Sequence, residues 1–419
     1  IRESHNQEQL VNIQKERERV NDQLSALTKD YQDILFLDIN YQMIQEKLQS
    51  NDIIFDYYDY DDDHYGLVII GKDIFESITL EKTDNYELLV SQARKHINKD
   101  THIYICPDGE LYNLSFERIL EDYEISYLSS PKGLFYKHRN DDQSQNREII
   151  SFVYPDFNDM MDDEHQRGNQ KGVLYGSYIE GLYMKDIYQD KCFIYSKKEA
   201  NHDNFMNVNN PKILHISTHG EYDDNEDIMN PMERGKLCLA GYNQKERIEE
   251  YGKGYVTAGE IQSMNLKDTD LVVLSACNTG IGETIKGEGL YGIRRAFELA
   301  GAKTLLITVE EIDDYNTAIF MKVFYERYQE NKKIYESFKN TREYLSDKDN
   351  ALRELQKLKE TFQDRMKSIA AGISYERNLD ELENRIRESQ GKGNIVKKSQ
   401  GKYIEEDWKG IVIQGNIDD

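Results

Sequence analysis

Two residues that could carry out acyl transfer stand directly after short apolar segments of the sequence. The segment PKILHISTHG (211–220) leads to His219 and Gly220, and DLVVLSAC (270–277) ends at Cys277. Apolar, β-branched runs of this length predict strands buried in a parallel sheet, and such sheets hold reactive groups at the carboxyl ends of their strands. We therefore expect the imidazole and the thiol to lie at one edge of one sheet.

A thiol and an imidazole at such an edge predict a catalytic dyad. A thiol at a strand end beside a helix start has its pKa lowered from the free value of about 8.5, and a nearby base completes its activation. His219 would take the proton of Cys277, the thiolate would attack a peptide carbonyl, and the backbone N–H groups of Gly220 and Cys277 would stabilise the oxyanion. This chemistry calls for no cofactor and no metal, and a loop carbonyl would suffice to orient the imidazole.

The stretch that follows the cysteine, GIGETIKG (280–287), also imitates a phosphate-binding loop. That loop requires a glycine where Ile285 stands and a hydroxyl where Gly287 stands. Ile285 also breaks the glycine pattern of dinucleotide-binding turns. We therefore interpret these glycines as backbone turns rather than as a nucleotide site.

Cys277 and the nearby His215 also have purely structural interpretations. A cysteine in an apolar strand is usually a small core residue, and Cys277 taken alone would be one. His215, four residues before His219 on the same strand face, is expected to support the core. A zinc site that joins the two histidines is disfavoured, because residues i and i+4 of a strand stand about 13 Å apart.

The elements that must position these residues predict an α/β fold. Apolar runs alternate with helical stretches along most of the chain, which indicates a mostly parallel sheet with helices on both faces. We expect a helical lead-in over 1–45, a main sheet domain over 46–345, a charged helical hairpin inserted over 346–401, and a last strand within 402–419. We expect two strands around an acidic turn in 52–71, and a strand, a turn and a helix in 101–120. Single strands are expected in 148–157, 191–196, 211–220, 270–277, 302–309 and 407–415.

Charge and composition exclude several classes of partner. The 53 Lys and Arg residues against 78 Asp and Glu give a net charge of -25, which opposes nucleic-acid binding and favours basic peptides. No run of about 18 apolar residues could span a membrane and no signal peptide opens the chain, so we expect a cytoplasmic protein. The four cysteines contain no C-x-x-C pair, which argues against a disulfide framework. The chain begins at Ile1, and we expect it to belong to a longer protein.

Several motifs resemble those of the CHAT family, caspase-like cysteine peptidases related to separase and often linked to tetratricopeptide repeats. The resemblance lies in LHISTHG, in LVVLSACNTG with the GEG and AFELAGA turns that follow it, in DDYNT, and in the tryptophan-led DWKGIVIQG. It covers most of 45–345 and 402–419, and CPDGELYNLSFERIL matches an earlier family segment. The resemblance implies that His219 and Cys277 are the catalytic residues. It also implies a protein substrate, control by a protein partner or by upstream repeats, and a role in bacterial defence or cell-death proteolysis.

Departures from the family pattern bear on substrate choice. Glu310 stands where the family commonly has tryptophan, and Asp313 and Asp314 follow it. Carboxylates at the catalytic edge could bind Arg or Lys before the scissile bond, although the two aspartates are better explained as helix-terminal residues. Ser275, two residues before the cysteine, carries no charge where related enzymes with basic specificity have Asp. Ser115 replaces a usual proline, and the 346–401 insertion exceeds the family's usual link.

Two functions from different classes remain open at this point. The first is a cysteine endopeptidase that uses the Cys277–His219 dyad. The second is a non-catalytic caspase-like scaffold, in which the hairpin at 346–401 docks a partner. The presence of both dyad residues favours the peptidase.

Overall fold

The computed structural model describes residues 39–83, 85–135, 148–157, 172–223, 230–244, 252–275, 283–285, 289–309, 314–366, 380, 383 and 411–415. Within these residues an eleven-stranded sheet forms the centre of the molecule. Its strands are β1 (Asp52–Asp59), β2 (His64–Gly71), β3 (Ile74–Glu81), β4 (His102–Cys106), β5 (Glu124–Tyr127), β6 (Ile149–Pro155), β7 (Cys192–Lys197), β8 (Ile213–Ser217), β12 (Leu271–Ser275), β15 (Thr304–Thr308) and β16 (Ile411–Gly415), in the order β3-β2-β1-β4-β5-β16-β15-β12-β8-β6-β7. Two small sheets accompany it, formed by β9 (Gly220–Tyr222), β10 (Gly235–Cys238) and β11 (Tyr255–Thr257), and by β13 (Glu283–Ile285) and β14 (Gly289–Tyr291).

The continuous apolar runs form the buried parallel strands that the sequence predicts. β8 and β15 are buried at every position, and β12 is buried from Leu271 to Leu274. Both faces of these strands are covered, so alternation of apolar and polar residues is not needed. β12 pairs in parallel with β8 on one side and with β15 on the other, and β8 pairs in parallel with β6.

The sheet contains two sets of strands that run in opposite directions. β16 joins the sets because it is parallel to β5 but antiparallel to β15. A buried polar cluster accompanies this junction: Gln414 accepts a hydrogen bond from Arg294 Nε at 2.8 Å and donates one to Glu298. Ser129 also donates to Glu298. The last strand of the sheet in sequence order thus occupies a central position.

Helices cover both faces of the sheet, in agreement with the predicted fold class. They are α1 (Tyr41–Lys47), α2 (Glu87–Ser91), α3 (Tyr175–Tyr188), α4 (His202–Met206), α5 (Ala258–Ile261), α6 (Ile293–Leu299), α7 (Asp314–Asn331), α8 (Ile334–Ser346) and α9 (Lys348–Met366). Residues of α2, α4, α5 and α6 share one apolar core with Val272 and Leu274. Residues of α3, α7, α8 and α9 share another with Leu271 and Val273, whose side chains leave the opposite face of β12.

The predicted insertion begins as a helix that packs against the sheet domain. Leu355 and Leu358 of α9 are buried in the same core as α7 and α8. Lys322 of α7 donates a 2.8 Å hydrogen bond to Glu354 of α9 and another to Glu326. Most of the second half of the predicted hairpin, and most of the predicted 1–45 lead-in, lie outside the described residues, so the domain boundaries stay predictions.

Replacing Glu354 by glutamine is expected to lower the free energy of unfolding by about 1 to 2 kcal/mol at neutral pH, because the Lys322 ammonium loses a charged partner. Burial raises the pKa of Glu354, but hydrogen bonds from Lys322 and Lys357 outweigh it and hold the pKa below its usual value of 4.5. The stabilisation by ionised Glu354 is therefore fully present at pH values above the usual glutamate pKa. It is lost as the pH falls through the lower pKa of the folded state.

Urea titrations of the wild type and Glu354→Gln at about pH 7 and about pH 3 would measure this contribution. Glu360→Gln, at an exposed position of the same helix, is the matched control and should change little. A difference between wild type and Glu354→Gln that is equally large at both pH values would contradict the assignment.

Across the part of the chain that the structure describes, no helix combines the length and the apolar character needed to cross a membrane.

Candidate active site

The strands that lead to the two predicted catalytic residues are direct neighbours. Ser217 of β8 pairs with Ser275 of β12 at the last rung of their parallel ladder, and Thr218 N donates to the Ser275 carbonyl at 3.2 Å. His219 stands two residues after Ser217. Cys277 stands two residues after Ser275 in the sequence but, with Glu310 and Asp313, lies outside the described residues.

A backbone carbonyl orients the His219 ring. Its Nε2 lies 2.9 Å from the carbonyl oxygen of Gly172, in the segment that leads into α3. Since a carbonyl can only accept, Nε2 carries the proton, and in the neutral ring the basic lone pair is then on Nδ1. The ring centroid also lies 5.3 Å from that of Phe157, which is buried. Sequence reasoning allowed for a loop carbonyl in this role but could not identify it.

Gly220 begins the short strand β9 directly after the histidine. Cys238 N donates to the His219 carbonyl at 2.9 Å, and Gly220 faces Leu237 across the antiparallel pair of β9 and β10. His219 and Cys238 therefore form a hydrogen-bonded pair. In an antiparallel ladder the two kinds of pair alternate, so the next pair, Gly220 and Leu237, is a non-hydrogen-bonded one. The Gly220 N–H is therefore directed away from β10, which is the property that an oxyanion donor at this position requires.

A buried polar cluster lies one rung behind these strand ends. Glu180 of α3, 1 % exposed, accepts hydrogen bonds through Oε1 from Ser217 Oγ at 2.8 Å and from Ser275 Oγ at 2.9 Å. Its Oε2 lies 2.9 Å from Nε2 of His215, whose Nδ1 lies 2.9 Å from the Tyr325 hydroxyl. His215 is fully buried, as expected for a supporting residue.

The helix α3 is attached to β8 at a second point. Ser177 Oγ donates to the Ser217 carbonyl at 2.7 Å and accepts from Tyr154 N at 2.7 Å. Ser177 and Glu180 are three residues apart and thus share one face of the helix. The sequence analysis missed both, and the available signal was a serine and a glutamate on one face of the otherwise largely apolar segment YGSYIEGLY.

Asp314, one of the predicted substrate-binding residues, opens α7. Its Oδ2 accepts a 2.8 Å hydrogen bond from Gly176 N in the first turn of α3. The carboxylate therefore joins the starts of α3 and α7, in line with the helix-terminal role that the sequence analysis favoured for the aspartates. Contact with a substrate stays a prediction for Asp314, as for Glu310 and Asp313.

The remaining cysteines are poor candidates for a nucleophile. Cys106, Cys192 and Cys238 are buried and form no disulfide. Burial raises the pKa of the Cys192 thiol to about 12 and raises that of Cys106 above its ordinary value. A thiol in this condition is protonated at neutral pH and unreactive. Over the described residues, no group of three His, Cys, Asp or Glu side chains is placed to hold a metal ion.

Comparison with solved structures yields weak overall similarities. Two crystal structures of the Saccharomyces cerevisiae separase–securin complex match with TM-scores of 0.37 and 0.36 at 13 % sequence identity, covering 61 % of this chain. The crystal structure of the Arg-specific cysteine proteinase gingipain R matches with a TM-score of 0.36 at 9 % identity, covering 59 % of this chain and 58 % of its own. This chain spans 15 % and 16 % of the two matched separase-complex chains.

Sequence comparison identifies the family. No curated protein matches this chain in sequence. The family model for the CHAT domain, in contrast, matches residues 85–375, which is more than half of the chain and includes β8, β12 and every residue of the site described above. The chain therefore belongs to the CHAT domain family.

Proposed function

We propose that this protein is a cysteine endopeptidase in which Cys277 is the nucleophile and His219 is the general base. The observation that carries the proposal is the pairing of Ser217 with Ser275 at the last rung of β8 and β12. Each of these residues precedes one member of the dyad by two positions. Neighbouring parallel strands present the residues that follow them at a common edge, which supports an imidazole and a thiol within reach of each other.

The hydrogen bond between His219 and Gly172 supports a specific proton path. With the Nε2 proton donated to the Gly172 carbonyl, Nδ1 accepts the proton of the Cys277 thiol. The thiolate attacks the peptide carbonyl, and the backbone N–H groups of Gly220 and Cys277 bind the oxyanion. His219 then protonates the leaving amine, and water, deprotonated by the same ring, releases the carboxylic acid and restores the thiol.

We further propose a protein substrate with Arg or Lys before the scissile bond, bound by carboxylates at the catalytic edge. Glu310 is the strongest candidate, followed by Asp313. Asp314 already accepts the Gly176 N–H, so for this residue we favour the role at the helix start. The net charge of -25 supports attraction of a basic peptide segment. We also propose control by a protein partner or by tetratricopeptide repeats.

A peptide library that varies the residue before the scissile bond, analysed by mass spectrometry, tests the activity. We expect cleavage by the wild type, none by Cys277→Ala, and enrichment of Arg or Lys before the cut. Equal cleavage by both proteins would reject the dyad. A peptidyl acyloxymethyl ketone with a basic residue provides a second test, because it should label Cys277 alone. An unlabelled thiol together with absent turnover would favour the non-catalytic scaffold.

A further inference from the structure

The buried carboxylate of Glu180 lies between the ends of the two strands that lead to the dyad. Burying a carboxylate is costly unless hydrogen bonds or an opposite charge compensate it. Glu180 has such compensation on Oε1, which two serine hydroxyls reach, while Nε2 of His215 lies 2.9 Å from Oε2 without hydrogen-bond geometry. Apolar residues could fill the same space at lower cost, so the polar arrangement calls for an explanation.

The position of the Glu180 carboxylate between the two serine hydroxyls supplies that explanation. Ser217 and Ser275 form the last paired rung of β8 and β12, beyond which the ladder stops. Glu180 Oε1 holds both hydroxyls at once and so fixes the distance between the two strand ends. His219 stands two residues beyond this rung, roughly 6 to 7 Å along the strand direction. The backbone hydrogen bond from Thr218 N to the Ser275 carbonyl acts at the same place, so Glu180 adds a side-chain constraint to that of the backbone ladder.

The second oxygen of the Glu180 carboxylate also has a contact. His215 contacts Oε2 of Glu180 and is held in turn by the Tyr325 hydroxyl of α7. Ser177, one turn earlier on α3, binds the Ser217 carbonyl, and Gly172, just before α3, binds His219. Glu180 thus belongs to a chain of contacts that leads to the catalytic edge, with the two serines at Oε1 and His215 beside Oε2.

From this geometry we propose that Glu180 is a positioning residue of the peptidase: it sets the separation of the ends of β8 and β12, and thereby the approach of His219 to Cys277. The proposal rests on the proposed dyad. In this role Glu180 acts through Ser217 and Ser275, whose hydroxyls it binds. Its removal should therefore affect the chemical step more than substrate binding.

Three variants separate this role from a general contribution to stability. Glu180→Met keeps the volume of the side chain but accepts no hydrogen bond from the serines, and we expect kcat to fall by about 100-fold with KM changed less than about threefold. Glu180→Gln keeps an acceptor for both hydroxyls, and its kcat should lie within about tenfold of the wild-type value. Ser275→Ala removes one of the two hydroxyls that bind the Glu180 carboxylate, and we expect a loss of kcat between those of the two Glu180 variants. Asp186→Asn, exposed on the same helix, is the matched control and should behave as wild type.

The rate of Cys277 alkylation by iodoacetamide as a function of pH provides a readout that needs no turnover. A thiol paired with an imidazole titrates below the free value of about 8.5. The midpoint should therefore rise by about one pH unit in Glu180→Met and stay near that of wild type in Glu180→Gln. Mass spectrometry of the labelled peptide distinguishes Cys277 from the buried cysteines, and a thermal melt verifies that each variant is folded.

The outcomes distinguish a failure of the positioning role from a failure of the proposed dyad. A folded Glu180→Met variant with wild-type kcat and an unshifted alkylation midpoint would overturn the positioning role while leaving the peptidase intact. A wild type whose cleavage equals that of Cys277→Ala, and whose thiol titrates at the free value, would overturn the dyad itself. A loss confined to KM would also reject the positioning role, because it would indicate a contribution to substrate binding.

Discussion

His219→Ala is expected to lower kcat/KM for peptide cleavage by about 1000-fold or more, since the reaction loses both its general base and the acid that protonates the leaving amine. The fold should survive, because the ring is partly exposed and Nε2 binds a backbone carbonyl rather than a side chain. Steady-state kinetics on the best library peptide, with a thermal melt of each protein, would measure the effect.

A matched histidine variant controls for the general cost of removing an imidazole. His64 is partly exposed on β2, separated from β8 by six strands of the sheet, and His64→Ala should keep wild-type activity. Cys277→Ser provides a second comparison, because an unactivated hydroxyl in place of the thiol should also leave little turnover. Substantial residual activity in His219→Ala would show that another group acts as the base.

Gly176→Ala is expected to reduce the free energy of unfolding by about 2 to 3 kcal/mol and to impair catalysis as well. A Cβ at this position would stand 2.2 Å from the backbone oxygen of Asp314, so the starts of α3 and α7 would have to separate. The hydrogen bond from Gly176 N to Asp314 would be strained or lost. Because Ser177 and Glu180 lie on the same helix, the displacement would reach the ends of β8 and β12.

Gly181→Ala on the same helix is the control for this effect. There the added Cβ would meet one methyl of Val153 at 2.6 Å, and the next atoms lie at 3.6 Å and beyond. A side-chain methyl can shift more easily than backbone, and alanine favours the helix more than glycine does. Urea denaturation should therefore show the larger loss for Gly176→Ala; equal losses in the two variants would contradict the proposed clash with backbone.

The sequence predicted the two strands that lead to the dyad well, because burial on both faces leaves a simple pattern, whereas the short buried strand β5 was not predicted. Apolar residues dominate ILHIS and LVVLS within these two segments, and β8 and β12 form there. The strand β3 was missed: its exposed and half-buried residues alternate along IFESITLE, and it packs against a single neighbour, β2. A continuous apolar run is the signal of a fully buried strand, and β3 does not have one.

The supporting residues of the site were harder to predict, for a physical reason. Glu180 meets Ser217 and Ser275 across 37 and 95 residues of chain, and His215 meets Tyr325 across 110. Local patterns report which face of an element is buried, but not which distant side chains meet there. The role of Gly172 could not be predicted for a related reason: it binds His219 through a backbone carbonyl, which every residue type possesses.

The central position of β16 has a consequence for the biosynthesis of the protein. β5 and β15, the strands on either side of it, are complete by residue 308, but the segment that pairs with both spans residues 411–415. During translation, the two halves of the sheet therefore emerge with their inner edges unpaired, and such edges invite pairing with other chains. Closing the sheet also requires a contact across about a hundred residues, which slows folding. The Arg294–Gln414–Glu298 cluster forms only with that final strand, so a ribosome-bound chain that ends before residue 411 lacks a continuous sheet.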